Sequence, residues 1–202
     1  MPVPNIPRKD IGHGVAERAS LAALSILGSV AFYLSLARLQ DWVFPNVEFI
    51  RGVGWIYLPA GARLLCPLLL GLPGAVGVLL GSWCECFFHL YPDDPLRSFA
   101  GGISSALAPY LVYLFALRVM GMQASLANLT SRRLLLLVPL FGFASPLMHH
   151  LWFWLHGDKV DLAQGFAVMA AGDMLGALVV LYALKAMLGL LPAPPRRQED
   201  RS

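Results

Sequence analysis

Charge is scarce in this chain. Of its 202 residues, 13% are Asp, Glu, Lys or Arg and 57% are hydrophobic, whereas a soluble domain carries about 25% charged residues. Fifteen basic and 12 acidic side chains are too few to cover a water-facing globule of this size, and a mean hydropathy of +0.65 excludes a soluble enzyme on the same ground. Cysteine is equally sparse. Cys66, Cys84 and Cys86 all sit inside apolar runs, so there is no disulfide framework and no pointer to a redox compartment. The sequence has no P-loop, no Gly-x-Gly-x-x-Gly turn and no internal repeat, so nothing supports energy coupling by this chain alone. Its basic residues are not interleaved with aromatic ones, which argues against a nucleic-acid face. Ser104-Ser105 lack the Gly-x-Ser-Gly setting of an intramembrane serine protease, and no catalytic activity is expected.

What the chain does have is long apolar runs. A membrane-spanning helix needs about 20 mostly apolar residues, and six runs qualify: Leu21 to Leu39, Val53 to Leu70, Leu72 to Leu90, Phe99 to Val119, Leu134 to Leu155 and Phe166 to Leu190. The second and third are divided only by Gly71-Leu72-Pro73-Gly74, a Gly/Pro turn that predicts an antiparallel hairpin. The expected fold is therefore all-α: a polytopic helical bundle of about six spans over residues 21–190, with a cytoplasmic segment at 1–20 and a short polar tail at 191–202. The first run follows Arg8 and Lys9 and ends in Ser35-Leu36-Ala37, a signal-peptidase-like sequence. It is long for a signal peptide and is read as a retained span. Basic residues concentrate on the side of the two termini, whereas only Arg38, Arg51, Arg97 and Lys159 fall opposite, among Asp41, Glu48, Asp93, Asp94, Asp158 and Asp161. By the positive-inside rule both termini are expected in the cytoplasm.

Ionisable groups within a bilayer are costly and usually face the bundle interior with a partner. Arg63 and Asp173 both fall about 18 Å deep by helical rise, near the midplane, so they are expected to pair. The pair either locks the second helix to the sixth or takes up an anionic or zwitterionic ligand between them. A second group gathers Cys84, Glu85, Cys86 and His89 on the third span and Met148, His149 and His150 on the fifth. Glu85 and His89 share a helix face, so they form a candidate zinc or copper site with Cys86 and one of His149 and His150. The alternative is a polar hydrogen-bond network lining an outward cavity. Haem is disfavoured because adjacent histidines point about 100° apart on a helix.

Glycine and proline add detail. Gly74, Gly77 and Gly81 mark a close-packing face. Pro59, Pro67, Pro109, Pro139 and Pro146 interrupt spans, either as ordinary kinks or where ligand groups are placed. Trp42, Trp55, Trp83, Trp152 and Trp154 with Tyr57 and Tyr91 are read as an aromatic belt at the outer boundary. Tyr110 on the fourth span joins Arg63, Asp173, Pro59 and Gly61 as a candidate ligand residue.

Tyr57-Leu58-Pro59-Ala60-Gly61, the glycine-spaced helix from Gly71 to Gly81, and Gly172-Asp173-Met174-Leu175-Gly176 together resemble the first type of membrane-associated sensor domain, the MASE family. The likeness covers roughly Trp55 to Lys185. It implies a bacterial inner-membrane domain that senses a signal within or across the membrane, with Pro59, Gly61, Gly172, Asp173 and Gly176 matching the family's pattern; a small-molecule ligand is expected. That family usually has about eight spans and a cytoplasmic output domain. Six spans ending at Ser202 depart from it, so output is expected to pass through a membrane or cytoplasmic signalling partner. Six helices with cytoplasmic termini and Ala19-x-x-x-Ala23 are also similar to substrate-binding subunits of energy-coupling-factor transporters. In that reading the cavity takes a vitamin or metal and a separate ATPase supplies energy.

Overall fold

Backbone groups in hydrocarbon must be hydrogen-bonded within their own segment, which turns uncharged apolar runs into helices. The computed structural model describes residues 8–122, 130–157 and 161–190. In order it contains α1 (Arg8–Val43), β1 (Glu48–Ile50), β2 (Val53–Gly54), α2 (Pro59–Glu85) continued by a π-helical turn (Cys86–Leu90), α3 (Pro95–Arg118), α4 (Ser131–His156) and α5 (Leu162–Leu190). Five of these helical stretches are long and apolar enough to cross a membrane. Local signals set their ends. Asp94 caps α3 by accepting from Arg97 N at 2.9 Å, with Pro95 following it, and Asp161 accepts from Ala163 N and Gln164 N at the start of α5. Gly157 closes α4 in the left-handed conformation that favours glycine.

α2 is one stretch by sequence but two arms in space. Gly71 has φ 63° and ψ −138°, outside the helical region, and the chain reverses there. Gly74 lies against the Cys66 carbonyl, and Pro59 and Glu85 line one cavity, although a straight helix would hold them about 39 Å apart. The sequence signal for a turn at Gly71 to Gly74 thus has a structural counterpart. The preceding run differs from expectation, however. Residues 53–58 are strand, bend and turn rather than helix, so the first arm starts at Pro59 and is about 18 Å long, short of the roughly 30 Å hydrocarbon core.

The remaining helices pack around this hairpin. α1 runs alongside the second arm and buries a single stripe of Ser29, Tyr33, Ala37 and Gln40. Gly77 abuts Ser29 and Gly81 abuts Tyr33, so the glycine-spaced face is a helix-packing face. The other side of α1, with Leu21, Leu24 and Leu27 more than half exposed, has the composition of a lipid-facing surface. The main core lies among α2, α3, α4 and α5 around Leu64, Leu68, Val112, Leu137 and Phe141. Strands β1 and β2 pair antiparallel as a small cap, after which the chain runs extended against α5. There Gly172 faces the Gly54 carbonyl and Gly176 the Tyr57 carbonyl, and Tyr57 N donates to Gly172 O at 3.1 Å. The two motif glycines clear a groove for an extended backbone rather than for another helix. Asp158, Lys159 and the 191–202 tail, with its Arg196, Arg197 and Arg201, lie outside the described residues.

Candidate functional site

Arg63 sits one helical turn after Pro59 on the first arm of α2 and is 5% exposed. Its Nη2 donates to Tyr57 Oη at 3.2 Å and to Tyr33 Oη at 3.4 Å, and the two hydroxyls are 3.3 Å apart. The guanidinium carbon lies 4.8 Å from the Tyr57 ring centre and 5.8 Å from that of Tyr33. An aromatic cradle of this kind contributes about 2 kcal/mol when desolvated. Nε and Nη1 have no hydrogen-bond partner within the protein.

Asp173, on α5, is 1% exposed, and neither carboxylate oxygen has a hydrogen-bond partner. Arg63 and Asp173 therefore share the buried centre without forming the direct ion pair the sequence suggests. Arg63 turns its Nη2 to the two tyrosine hydroxyls instead, because the extended segment carrying Tyr57 is laid along α5 at this level. Ser145 on α4 is fully buried and is the polar side chain beside the Asp173 carboxylate, although its hydroxyl does not reach good hydrogen-bond geometry.

Arg63 and Tyr57 open onto a cavity of about 30 Å³, lined also by Cys86, Arg97, Ser105, His149, Trp152 and Phe153. His149 Nδ1 lies 2.9 Å from the Ser145 carbonyl, which only accepts, so Nδ1 carries the proton. Nε2 is then the acceptor facing Ser105 Oγ at 3.4 Å. The Trp152 indole N–H has no partner within the protein. Arg97 stacks over Tyr91 at 4.7 Å and Phe153 at 5.4 Å. Above this chamber lies a wider vestibule of about 400 Å³, lined by Arg51, Asp93 and Asp94 and sharing Leu90, Tyr91 and Arg97 with the chamber wall. Tyr91 Oη donates to the Arg51 carbonyl at 2.6 Å. Burial raises its pKa, against the pull of Arg97, so it remains a donor at neutral pH.

The expected metal group is rearranged. Among the described residues, the cluster with metal-ligand geometry is Asp41, Glu85 and His89, whose ligand atoms lie within 4.8 Å of one another. His149 belongs to the chamber. His150 donates from Nδ1 to the Pro146 carbonyl and packs edge-on against Phe153 and Phe166. Cys86 faces the chamber, about 100° around the helix from Glu85, and Cys84 is exposed. Glu85 and His89 are directed to α1, where Arg38 reaches Asp41 Oδ2 at 3.2 Å and Glu85 Oε2 at 3.0 Å. One guanidinium thus already answers both carboxylates, and a zinc or copper ion would have to compete with it. The group reads as an ion-pair network at the aqueous end of α1.

The other candidates are dispersed. Pro59 starts α2, where its missing N–H costs nothing, and Gly61 makes room for Val180 of α5. Tyr110 packs on Tyr113 and lines an apolar outer groove rather than the chamber. The aromatic belt divides: Trp42, Trp55 and Trp154 are more than half exposed, whereas Tyr57, Tyr91 and Trp152 turn inward to the chamber. Sequence reading missed Tyr33, Ser105 and Arg97 as members of the site. Tyr33 had a signal, as the one hydroxyl-bearing aromatic in the first apolar run; Arg97 read as an ordinary loop charge beside Asp93 and Asp94. No protein-family model matches the chain, and no match was found among curated proteins or solved structures.

Proposed function

We propose that this protein is a membrane module that binds a ligand at the Arg63 chamber and passes the bound state to a partner protein, without itself catalysing a reaction. The observation that carries this reading is the unanswered hydrogen-bonding capacity of two buried ionisable side chains, Arg63 and Asp173. Each costs about 2.5–3.5 kcal/mol to place in a bilayer. A pair retained for stability alone would satisfy those atoms, since an unmet buried polar group costs a further 1–3 kcal/mol or so. The Gly54–Leu58 segment joins chamber to α5, so a ligand that draws Tyr57 or Arg63 inward also pulls on a helix ending at the opposite side.

The same reading takes the protein as a multi-pass protein of a bacterial inner membrane, with both termini cytoplasmic and six passes, the short first arm of α2 completing its pass with the 53–58 segment that precedes it. The reversal at Gly71 supports an even number of passes, and Arg18, Arg118, Arg132, Arg133 and Lys185 supply the positive side. A second reading, the binding subunit of an energy-coupling-factor-type transporter, is favoured by one feature: Ala19 and Ala23 both lie exposed on α1, as a small-residue docking site for a coupling subunit requires.

Mass spectrometry of gently purified protein, combined with thermal unfolding in the presence of the co-purifying compound, tests the proposal. Arg63→Ala should abolish ligand-dependent stabilisation while the chain still inserts, and Asp173→Asn, which removes the negative charge beside Arg63, should alter it. Stabilisation that survives both changes assigns the buried charges to packing alone. Co-purification of an ATPase selects the transporter reading.

A further inference from the structure

We infer that the occupant of the Arg63 chamber is a small monovalent anion of the size of chloride or formate, admitted through the vestibule beside Arg97. This inference rests on the ligand-binding reading above and narrows it to one chemistry. The first argument is polarity. The unmet groups on the chamber wall are Arg63 Nε and Nη1 and Trp152 Nε1, and all are donors with no acceptor capacity. The acceptors at the chamber are engaged: the Tyr33 and Tyr57 hydroxyls receive Arg63 Nη2, and His149 Nε2 faces Ser105; the unmet oxygens of Asp173 are not part of the chamber lining. A wall of donors is complementary to an acceptor, and the fixed charge of Arg63 makes a charged acceptor the stronger partner in a low-dielectric site.

The second argument is size. About 30 Å³ admits one or two water-sized groups, whereas drug-sized or vitamin-sized ligands occupy pockets of roughly 300 Å³ or more. The third is access. The vestibule of about 400 Å³ shares Tyr91 and Arg97 with the chamber, and Arg51 lines it too. Of the two acidic residues on the vestibule wall, Asp93 and Asp94, the latter is engaged in capping α3 through Arg97 N. Arginine is weakly hydrated and so releases water to an anion at small cost. The competing occupant is water bridging Arg63 to Asp173, which carries no net charge and predicts no dependence on the anion.

The test uses the full chain purified in neutral detergent, with thermal unfolding followed as sodium gluconate is replaced by sodium chloride or sodium formate at constant ionic strength. A saturable rise in Tm is expected with chloride, formate or both, and none with gluconate, which is too large for the chamber. The apparent Kd should increase at least tenfold in Arg63→Gln and several-fold in Trp152→Phe, which keeps an aromatic ring but loses the N–H. Trp152→Phe carries the comparison if Arg63→Gln fails to fold. Equal Tm in the three salts, or saturation unchanged in the variants, overturns the inference. If the small anions do nothing while a larger co-purifying compound stabilises the parent protein and not Arg63→Gln, the ligand-binding reading stands and this one falls. If neither has an effect, both fall.

Discussion

Arg63 shows how a single charge is kept within a bundle of apolar helices. Two tyrosine rings surround it and two hydroxyls take one of its nitrogens, which spreads the cost of desolvation over several modest interactions rather than one ion pair. Tyr57→Phe keeps the ring and removes the closer hydroxyl, so it should lower stability by about 1.5–3 kcal/mol, the cost of a lost hydrogen bond to a buried charged group. Thermal unfolding in detergent reads this directly, and an unchanged Tm would mean the hydroxyl contributes nothing to holding the cation. At this scale the sequence was partly legible. Arg63 and Asp173 stand out because charges inside apolar runs are rare, but their partners do not. Tyr57 precedes the helix by two residues and Tyr33 is 30 positions away, so no helical periodicity connects them to Arg63.

The helices themselves depend on a few glycines, and the structure separates those that matter from those that do not. Gly71 adopts φ 63°, ψ −138°, a conformation that costs a residue with a side chain about 1–3 kcal/mol. Gly176 lies against the Tyr57 carbonyl, with no space for a methyl group. Gly71→Ala and Gly176→Ala should therefore each destabilise by about 1–3 kcal/mol. Gly28→Ala on the open face of α1, with nothing within 4 Å, should be neutral or stabilise by up to about 1 kcal/mol through helix propensity. A uniform response across the three would show that helix propensity, not close approach, governs these positions. Gly172 and Gly176 stood out in the sequence only as part of the sensor-domain likeness. Their use was not legible, since the same spacing serves a neighbouring helix or an extended backbone equally well.

At the scale of the whole molecule, the reversal within α2 sets which ends of the helices share a side. Asp93 and Arg118 bracket α3. In a Cys84→Ser background, Asp93→Cys should react with a membrane-impermeant thiol reagent added outside intact cells, and Arg118→Cys only after the membrane is opened. The reverse pattern would invert the proposed orientation, and labelling of both from one side would deny that α3 crosses. Composition and the basic-residue bias were sufficient to expect a bundle with this arrangement. Counting residues inward from Arg51 at helical rise was not sufficient to place Arg63, because residues 51–58 are hairpin, bend and turn and the helix begins only at Pro59.

The helical class, the presence of helices long and apolar enough to cross a membrane, and the rarity of charges within them follow from local facts: runs without charge, and turns marked by Gly and Pro. These need no knowledge of which helix lies beside which. The chamber is a different kind of object. It exists because the first arm of α2 folds back on the second, because the 54–58 segment threads a glycine groove on α5, and because α4 turns His149 and Trp152 inward on one face. Each of these is a contact between segments distant in sequence, decided by which side chains leave room for a foreign backbone. The same reason moved Glu85 and His89 away from the paired histidines and onto Asp41 and Arg38 of α1.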